Sequence, residues 1–208
     1  MEITPLFPTP LVKASLGPNS ALIARLREII LAREAATPDG VAHSNSGGWQ
    51  SHDDFLSWTG DAGQALIDGL TQMINQVTLV VTDGELRKAA PHWKTTAWAN
   101  INRRGNANMP HFHPGAYWSA VTYVDDGGIG GKPDLGGGIE FSDPRGPMPM
   151  MYAPTIKVNA KGFLSAGLGE QFWPETGSIL IFPSWLLHSV TPYTGDGIRI
   201  SVAVNFSL

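Results

Sequence analysis

The sequence predicts an α+β fold that is mainly β, with N-terminal helices supporting a closed or double-layered sheet. Apolar residues repeat at helical spacing only in the first 93 residues, whereas strand-like alternation dominates from Lys94 onward. The 24 glycines and 16 prolines are concentrated after residue 104, which is typical of short strands joined by many turns. The 208 residues show no internal repeat and no linker, so we expect one domain.

The N-terminal elements are an extended segment followed by two helices. Ile3 to Leu16 is interrupted by three prolines and is expected to form an edge strand. Asn19 or Ser20 can cap a first helix that runs to Ala36. Asp61 is expected to open the second helix, whose apolar face comprises Leu66, Leu70, Met73, Ile74 and Val77.

The remainder of the chain is predicted to be strands and turns. A glycine-rich turn at 127–138 precedes no helix, so it is not a phosphate-binding loop. The stretch 148–173 carries no clear periodicity and is left unassigned. The expected strands are Thr95 to Arg103, His111 to Val124, Gly138 to Phe141, Ser178 to Phe182 and Arg199 to Phe206.

Composition excludes several classes of protein. The chain has no cysteine, which removes disulfides, thiolate metal sites and cysteine nucleophiles. The formal net charge is -4 without long charge runs, which disfavours a broad nucleic-acid interface. No signal-like segment and no apolar run of membrane-spanning length are present, so we expect a cytoplasmic protein without a membrane segment.

Three histidines form the clearest candidate site. His111 and His113 stand at positions i and i+2, which place two imidazoles on the same face of a strand, just before Pro114-Gly115. His188 follows an apolar strand that ends at Pro183. The alternatives are that His111 and His113 form a polar strand face and that His188 is an ordinary loop histidine. Taken together, the three histidines predict a site for a redox-active metal.

Arg199 is the candidate anion-binding residue. It lies 11 residues after His188, on a strand in which Arg199, Ser201 and Ala203 share one face. An exposed arginine is the alternative. An arginine that points into a barrel is costly unless an anion pairs with it, and its planar fork suits a carboxylate.

These residues resemble the Fe(II)/2-oxoglutarate-dependent oxygenases, and in particular a little-characterised bacterial and phage group within them. The hallmark of that superfamily is His-x-Asp/Glu, a distal His and Arg-x-Ser. The resemblance implies a double-stranded β-helix, which is a jelly-roll or cupin-like barrel. It further implies a single domain at 1–208, with an N-terminal strand and supporting helices at 1–93 and a metal-binding barrel core at 94–208.

By resemblance, the chain would be a dioxygenase that uses Fe(II), 2-oxoglutarate and O₂. It would hydroxylate a substrate and release succinate and CO₂. Arg199 and Ser201 would hold the distal carboxylate of 2-oxoglutarate, and Asn100 and Asn102 stand where some members keep an Asn-x-Tyr pair for the carboxylates. Aromatic residues that could line a dry substrate pocket are Trp98, Phe112, Tyr117, Trp118 and Trp185.

The sequence departs from the superfamily at one ligand. His113 stands where a carboxylate is usual, so three neutral imidazoles would leave the iron one negative charge short. Three interpretations stay open: a working three-histidine site, a site completed by Glu140 or Asp143, and a two-histidine iron.

The function also has alternatives at this point. A cupin-like three-histidine dioxygenase or isomerase would not use 2-oxoglutarate, and a binding protein with a degenerate site would not turn over at all. A small molecule or a protein is the expected substrate, and Ile3 to Leu16 could pair two chains in a homodimer.

Overall fold

A computed structural model describes residues 2–208 of the chain. The part of the chain before residue 94 contains both predicted helices and several short strands. Among these residues, no helix is both long enough and apolar enough to cross a membrane. The elements are β1 (Val12–Ser15), α1 (Ala21–Ala36), β2 (Asn45–Ser46), β3 (Trp49–Gln50), α2 (Phe55–Val77), β4 (Val80–Thr82) and β5 (Glu85–Arg87).

The rest of the chain supplies most of the strands. The previously unassigned stretch contains one short helix and one short strand. The elements are β6 (Lys94–Asn102), β7 (Ala107–His111), β8 (Trp118–Asp126), β9 (Ile139–Phe141), α3 (Met148–Tyr152), β10 (Glu170–Phe172), β11 (Ser178–Pro183), β12 (His188–Val190) and β13 (Arg199–Ser207).

Two antiparallel sheets form the barrel. The large sheet has the order β1-β11-β8-β13-β6-β3, and the small sheet has the order β10-β9-β12-β7-β2. Strands β4 and β5 pair separately as a hairpin. Because β1, β2 and β3 all pair with strands beyond residue 93, the N-terminal part contributes to the sheets as well as supporting them.

The helices cover the outer face of the large sheet. On β13, Ile200, Val202, Val204 and Phe206 are fully buried in one cluster with the apolar faces of α1 and α2. The opposite face of the same strand begins with Arg199 and lines the barrel interior. A second apolar cluster fills one end of the space between the sheets and comprises Tyr123, Ile139, Phe141, Leu180, Phe182 and Leu186.

The first helix and several strands confirm the sequence predictions, whereas three boundaries were wrong. The N-terminal edge strand is restricted to β1, because the prolines before it cannot donate to a ladder. Helix α2 begins at Phe55, and its expected start at Asp61 is instead the residue after a kink at Gly60. The expected strand from His111 to Val124 is two strands, separated by a turn in which Gly115 has φ 86°.

Candidate metal centre

The three histidines converge between neighbouring strands of the small sheet. His111 ends β7 and faces His188, which begins β12 and is its register partner. His113 follows two residues after the end of β7, where its backbone N–H donates to the carbonyl of Ser184 over 2.9 Å. The ring centroids are 4.3 Å apart for His111–His188, 5.0 Å for His111–His113 and 5.1 Å for His113–His188. One ligand atom from each ring lies within 4.8 Å of the others.

Backbone carbonyls orient two of the three rings. Nδ1 of His111 lies 2.7 Å from the carbonyl oxygen of Met109, and Nδ1 of His188 lies 2.8 Å from that of Leu186. A carbonyl can only accept, so each Nδ1 carries the proton and each Nε2 keeps a free lone pair. The arrangement fixes the tautomer that binds a metal through Nε2.

Burial keeps the histidines neutral. It lowers the pKa of His111, and it lowers the pKa of His113 to about 4 with a smaller contribution from the nearby His111. Burial likewise lowers the pKa of His188 to about 3, again assisted by His111. A neutral imidazole is the form that binds metals, so the cluster is ready to do so at neutral pH.

No carboxylate joins this cluster among residues 2–208. The carboxylate of Glu140 accepts a hydrogen bond from Gln171 over 2.7 Å. The carboxylate of Asp143 is held by Arg145 and by the backbone N–H of Gly167. The structure therefore brings neither candidate acid to the histidines.

Arg199 lies in the barrel interior and is only 2% exposed. Its Nη1 is 3.4 Å from Oδ1 of Asn102, while its Nε and Nη2 have no hydrogen-bond partner among the described residues. Burial lowers the pKa of the guanidinium, because desolvation disfavours the charged form. A buried cation with free donors is suited to bind an anion.

Tyr123 stands beside this arginine and was missed by the sequence analysis. The Arg199 guanidinium carbon lies 5.1 Å from the centroid of its ring. The Tyr123 hydroxyl is buried and has no partner among the described residues, and burial raises its pKa. The sequence feature that could have identified Tyr123 is the two-residue alternation along β8. It places Ser119, Val121 and Tyr123 on the face that lines the interior.

The other predicted co-substrate residues separate into two groups. Asn100 and Ser201 are register partners on β6 and β13, and both line the interior cavity with Arg199. The side-chain oxygen of Asn100 is buried without a partner. Asn102 is instead in contact with Arg199 from the neighbouring strand, where it positions the guanidinium.

The interior cavity and a groove on the outside of the barrel meet at the histidines. Four residues line both spaces, namely Ser44, Trp98, His111 and His113. We call the outside space the outer groove; it is lined further by Val41, His43, Gln50, Ser51, His52, Asp53, Thr96, Met109, Pro110 and Phe112. The metal cluster therefore lies at the junction between a space that contains Arg199 and a space open to solvent.

The aromatic residues predicted for a substrate pocket divide in the same way. Trp98 lines the groove, with its ring centroid 5.6 Å from that of His113, and Phe112 lines it too. Trp118 is 6% exposed and packs in the helix–sheet core, where its indole N–H donates to Thr78. Tyr117 and Trp185 are more than half exposed and line neither space.

The residues fit an Fe(II) ion and a carboxylate-bearing co-substrate. The cluster offers three neutral nitrogen donors, which suit a divalent transition metal. The free donors of Arg199 and the free hydroxyl of Tyr123 offer partners for an anion in the adjoining cavity.

Comparisons with known proteins agree with this geometry. Residues 96–205, more than half of the chain, match the family described as "Putative 2OG-Fe(II) oxygenase", where 2OG is 2-oxoglutarate. No curated protein matches significantly.

Many solved structures are similar. A prolyl-4-hydroxylase from Pseudomonas putida has a TM-score of 0.61 at 18% identity, with 96% of this chain and 92% of that chain covered. A prolyl hydroxylase from Trichoplax adhaerens, solved with a hypoxia inducible factor peptide fragment, has a TM-score of 0.64 at 11% identity, covering 95% and 83%.

HygX from Streptomyces hygroscopicus, solved with nickel and 2-oxoglutarate, has a TM-score of 0.59 at 11% identity, covering 96% and 83%. These similarities confirm the predicted double-stranded β-helix. The chain belongs to the 2OG-Fe(II) oxygenase family, as an enzyme that depends on Fe(II), 2-oxoglutarate and O₂.

Proposed function

We propose that this enzyme hydroxylates a C–H bond of a small molecule or a protein side chain. One 2-oxoglutarate, one O₂ and the substrate would be converted to succinate, CO₂ and the hydroxylated product. The observation that supports this most strongly is the position of the histidine cluster. It lies between the outer groove and a cavity that contains the buried Arg199, two of whose nitrogens lack partners among residues 2–208.

The three histidines would hold the iron. His111 and His188 present Nε2 from rings fixed by backbone carbonyls, and His113 completes the set from the turn after β7. When bound, the iron supplies the site at which O₂ is reduced. Three neutral ligands without a carboxylate favour weaker iron retention and a higher reduction potential than in a site with two histidines and one acid.

The interior cavity would hold the co-substrate. Arg199 would bind the distal carboxylate of 2-oxoglutarate through the two nitrogens that lack partners, and Tyr123 would donate its hydroxyl to the same carboxylate. Ser201 and Asn100 would add hydrogen bonds from the neighbouring positions of β13 and β6. Asn102 would act on Arg199, which it contacts, as a positioning residue.

The outer groove would hold the substrate, with Trp98 and Phe112 excluding water near the metal. The similar enzymes include a prolyl hydroxylase solved with a peptide and the epimerase SnoN from nogalamycin biosynthesis, so both substrate classes are compatible with this fold. Pairing of two chains along β1 and a cytoplasmic location remain predictions.

The test is succinate release from 2-oxoglutarate by protein purified without oxygen and reconstituted with Fe(II). We expect one iron per chain and slow, 2-oxoglutarate-dependent succinate release even without substrate. Arg199→Ala should raise the KM for 2-oxoglutarate by at least about tenfold, because charge-assisted hydrogen bonds contribute about 1.5–3 kcal/mol. Arg104→Ala is the matched control, since Arg104 is exposed and pairs only with Asp196.

Two results would contradict the proposal. Turnover of a substrate that is independent of 2-oxoglutarate would indicate a three-histidine dioxygenase or isomerase instead. Iron binding that survives His113→Ala unchanged, while His92→Ala also leaves it unchanged, would remove His113 from the ligand set.

A further inference from the structure

The outer groove is lined by both apolar and polar side chains. The apolar side chains include Trp98, Met109 and Phe112, and the polar ones include Asp53. The groove lining contains no lysine and no arginine. Asp53 is the only acidic side chain of the lining.

Asp53 is held in place by the backbone on both sides of it. Ser51 pairs with Ala99 of β6, its N–H donating to the carbonyl over 2.9 Å and its hydroxyl oxygen accepting the N–H of Ala99 over 3.0 Å. Asp54 forms a parallel bridge with Ala97 of the same strand. The segment that carries Asp53 thus runs beside the part of β6 that carries Trp98.

The charge of Asp53 is not used within the protein. Among residues 2–208 its carboxylate forms no ion pair and no hydrogen bond. The neighbouring Asp54, by contrast, accepts hydrogen bonds from Arg33 and Trp58. An unneutralised carboxylate in a groove that leads to a metal site attracts a cation.

We propose that the outer groove recognises a positively charged group of the substrate, an amine or guanidinium, through Asp53. The apolar part next to that group packs on Trp98 and Phe112, whose ring faces also attract cations. The inference rests on the proposed function, because the groove is a substrate site only if the histidine cluster is the oxidising centre. The cation belongs either to a small amine or to a basic side chain of a peptide.

The test compares the binding of matched probes by calorimetric titration. The enzyme is loaded with Fe(II) and 2-oxoglutarate and kept under nitrogen. The pH is 8, because an ordinary histidine is neutral there. We expect hexylammonium to bind about threefold or more tightly than 1-hexanol, and hexanoate to bind most weakly. The preference should shrink as salt is raised from 0.05 to 0.5 M, where screening is stronger. The binding of a blocked Gly-Lys-Gly peptide is compared with that of the same peptide carrying norleucine in place of lysine. This comparison distinguishes a basic side chain of a peptide from a small amine as the recognised cation.

Asp53→Asn should abolish the preference for the cation while leaving 1-hexanol binding unchanged. Asp61→Asn, which removes an exposed charge on α2 outside the groove, should keep the preference. Equal binding of hexylammonium and 1-hexanol by the wild type, or a preference retained in Asp53→Asn, would overturn the inference. Loss of succinate release in the wild type would overturn the proposed function instead, whatever the probes show.

Discussion

At the scale of single residues, the Tyr123 hydroxyl offers a test that separates binding from stability. The group is buried beside Arg199 without a hydrogen-bond partner among residues 2–208. Tyr123→Phe should therefore keep or raise the stability of the metal-free protein, by up to about 1 kcal/mol, since no hydrogen bond is lost. The same change should raise the KM for 2-oxoglutarate about tenfold. Thermal unfolding and steady-state kinetics measure the two effects.

Tyr193→Phe is the control for this prediction. The Tyr193 hydroxyl donates to the Gly127 carbonyl over 2.5 Å and accepts the Gly197 N–H over 2.9 Å. Its removal should lower the unfolding temperature and leave the KM for 2-oxoglutarate near the wild-type value. A destabilised Tyr123→Phe protein with normal kinetics would show that Tyr123 supports the structure only.

The buried histidines predict a pH dependence of stability. The ordinary histidine pKa is 6.5, whereas the folded values are about 4 for His113 and about 3 for His188. Above 6.5 the ring is neutral in both states, so it contributes no pH dependence. As the pH falls below 6.5 the unfolded chain binds protons that the folded protein excludes, so stability is lost.

The expected slope in the metal-free protein is about 1.4 kcal/mol per pH unit for each histidine that stays neutral. Urea unfolding between about pH 7.5 and 5.5 measures it, a range that lies above most of the carboxylate titration. His188→Gln should reduce the slope. A flat profile over this range would contradict the neutral cluster.

At the scale of elements, the kink of α2 predicts opposite effects for two glycines of the same helix. Gly60 has φ 54° and ψ −138°, a conformation that residues with a side chain avoid. Gly60→Ala should destabilise the protein by about 1–3 kcal/mol. Gly69 lies in the regular part of α2, where an added Cβ meets no atom within 4 Å, so Gly69→Ala should stabilise by about 0.5–1 kcal/mol. Denaturant unfolding of both variants measures the two changes in the free energy of unfolding.

Element boundaries show where sequence reasoning works and where it fails. The 3.6-residue repeat of α1 and the two-residue alternation of β13 are long enough to be read directly. Strands β7 and β12 are short, and β7 contains Pro110, so neither gives a periodic signal. Trp118 was also predicted to line the substrate pocket, although its side chain faces the helices.

At the scale of the whole molecule, the proposed ligands would join the two sheets. His111 and His188 belong to strands of the small sheet, whereas Arg199 and Tyr123 belong to strands of the large sheet. Iron with 2-oxoglutarate would therefore bridge both, and anything that binds only the folded protein stabilises it.

Mn(II), as a non-oxidising replacement for iron, should raise the unfolding temperature modestly, and Mn(II) with 2-oxoglutarate should raise it more. Co-substrate at 100 times its Kd should add about 2.7 kcal/mol. The added increment should vanish in Arg199→Ala and persist in Arg104→Ala, as measured by thermal shift. An equal increment from 2-oxoglutarate without metal would contradict a joint site.

The fold class was predictable from the sequence, whereas the roles of the candidate site residues remain predictions. Spacing along the strands, together with the family resemblance, nominated His111, His113, His188 and Arg199, and the structure brings the three histidines together. Asp53 carried no such signal, since its relation to the histidines depends on how the loop before α2 pairs with β6. Contacts between segments distant in sequence are set by tertiary packing, which local periodicity does not encode.

The wall that the interior cavity shares with the outer groove has a kinetic consequence. Because Trp98, His111 and His113 border both spaces, a molecule lying in the groove covers the side of the cavity that opens at the histidines. If the groove holds the substrate as proposed, 2-oxoglutarate would have to arrive before the substrate by that route, and succinate would have to leave after the hydroxylated product. Turnover would then follow a compulsory order of addition, in which substrate that arrives too early delays the reaction.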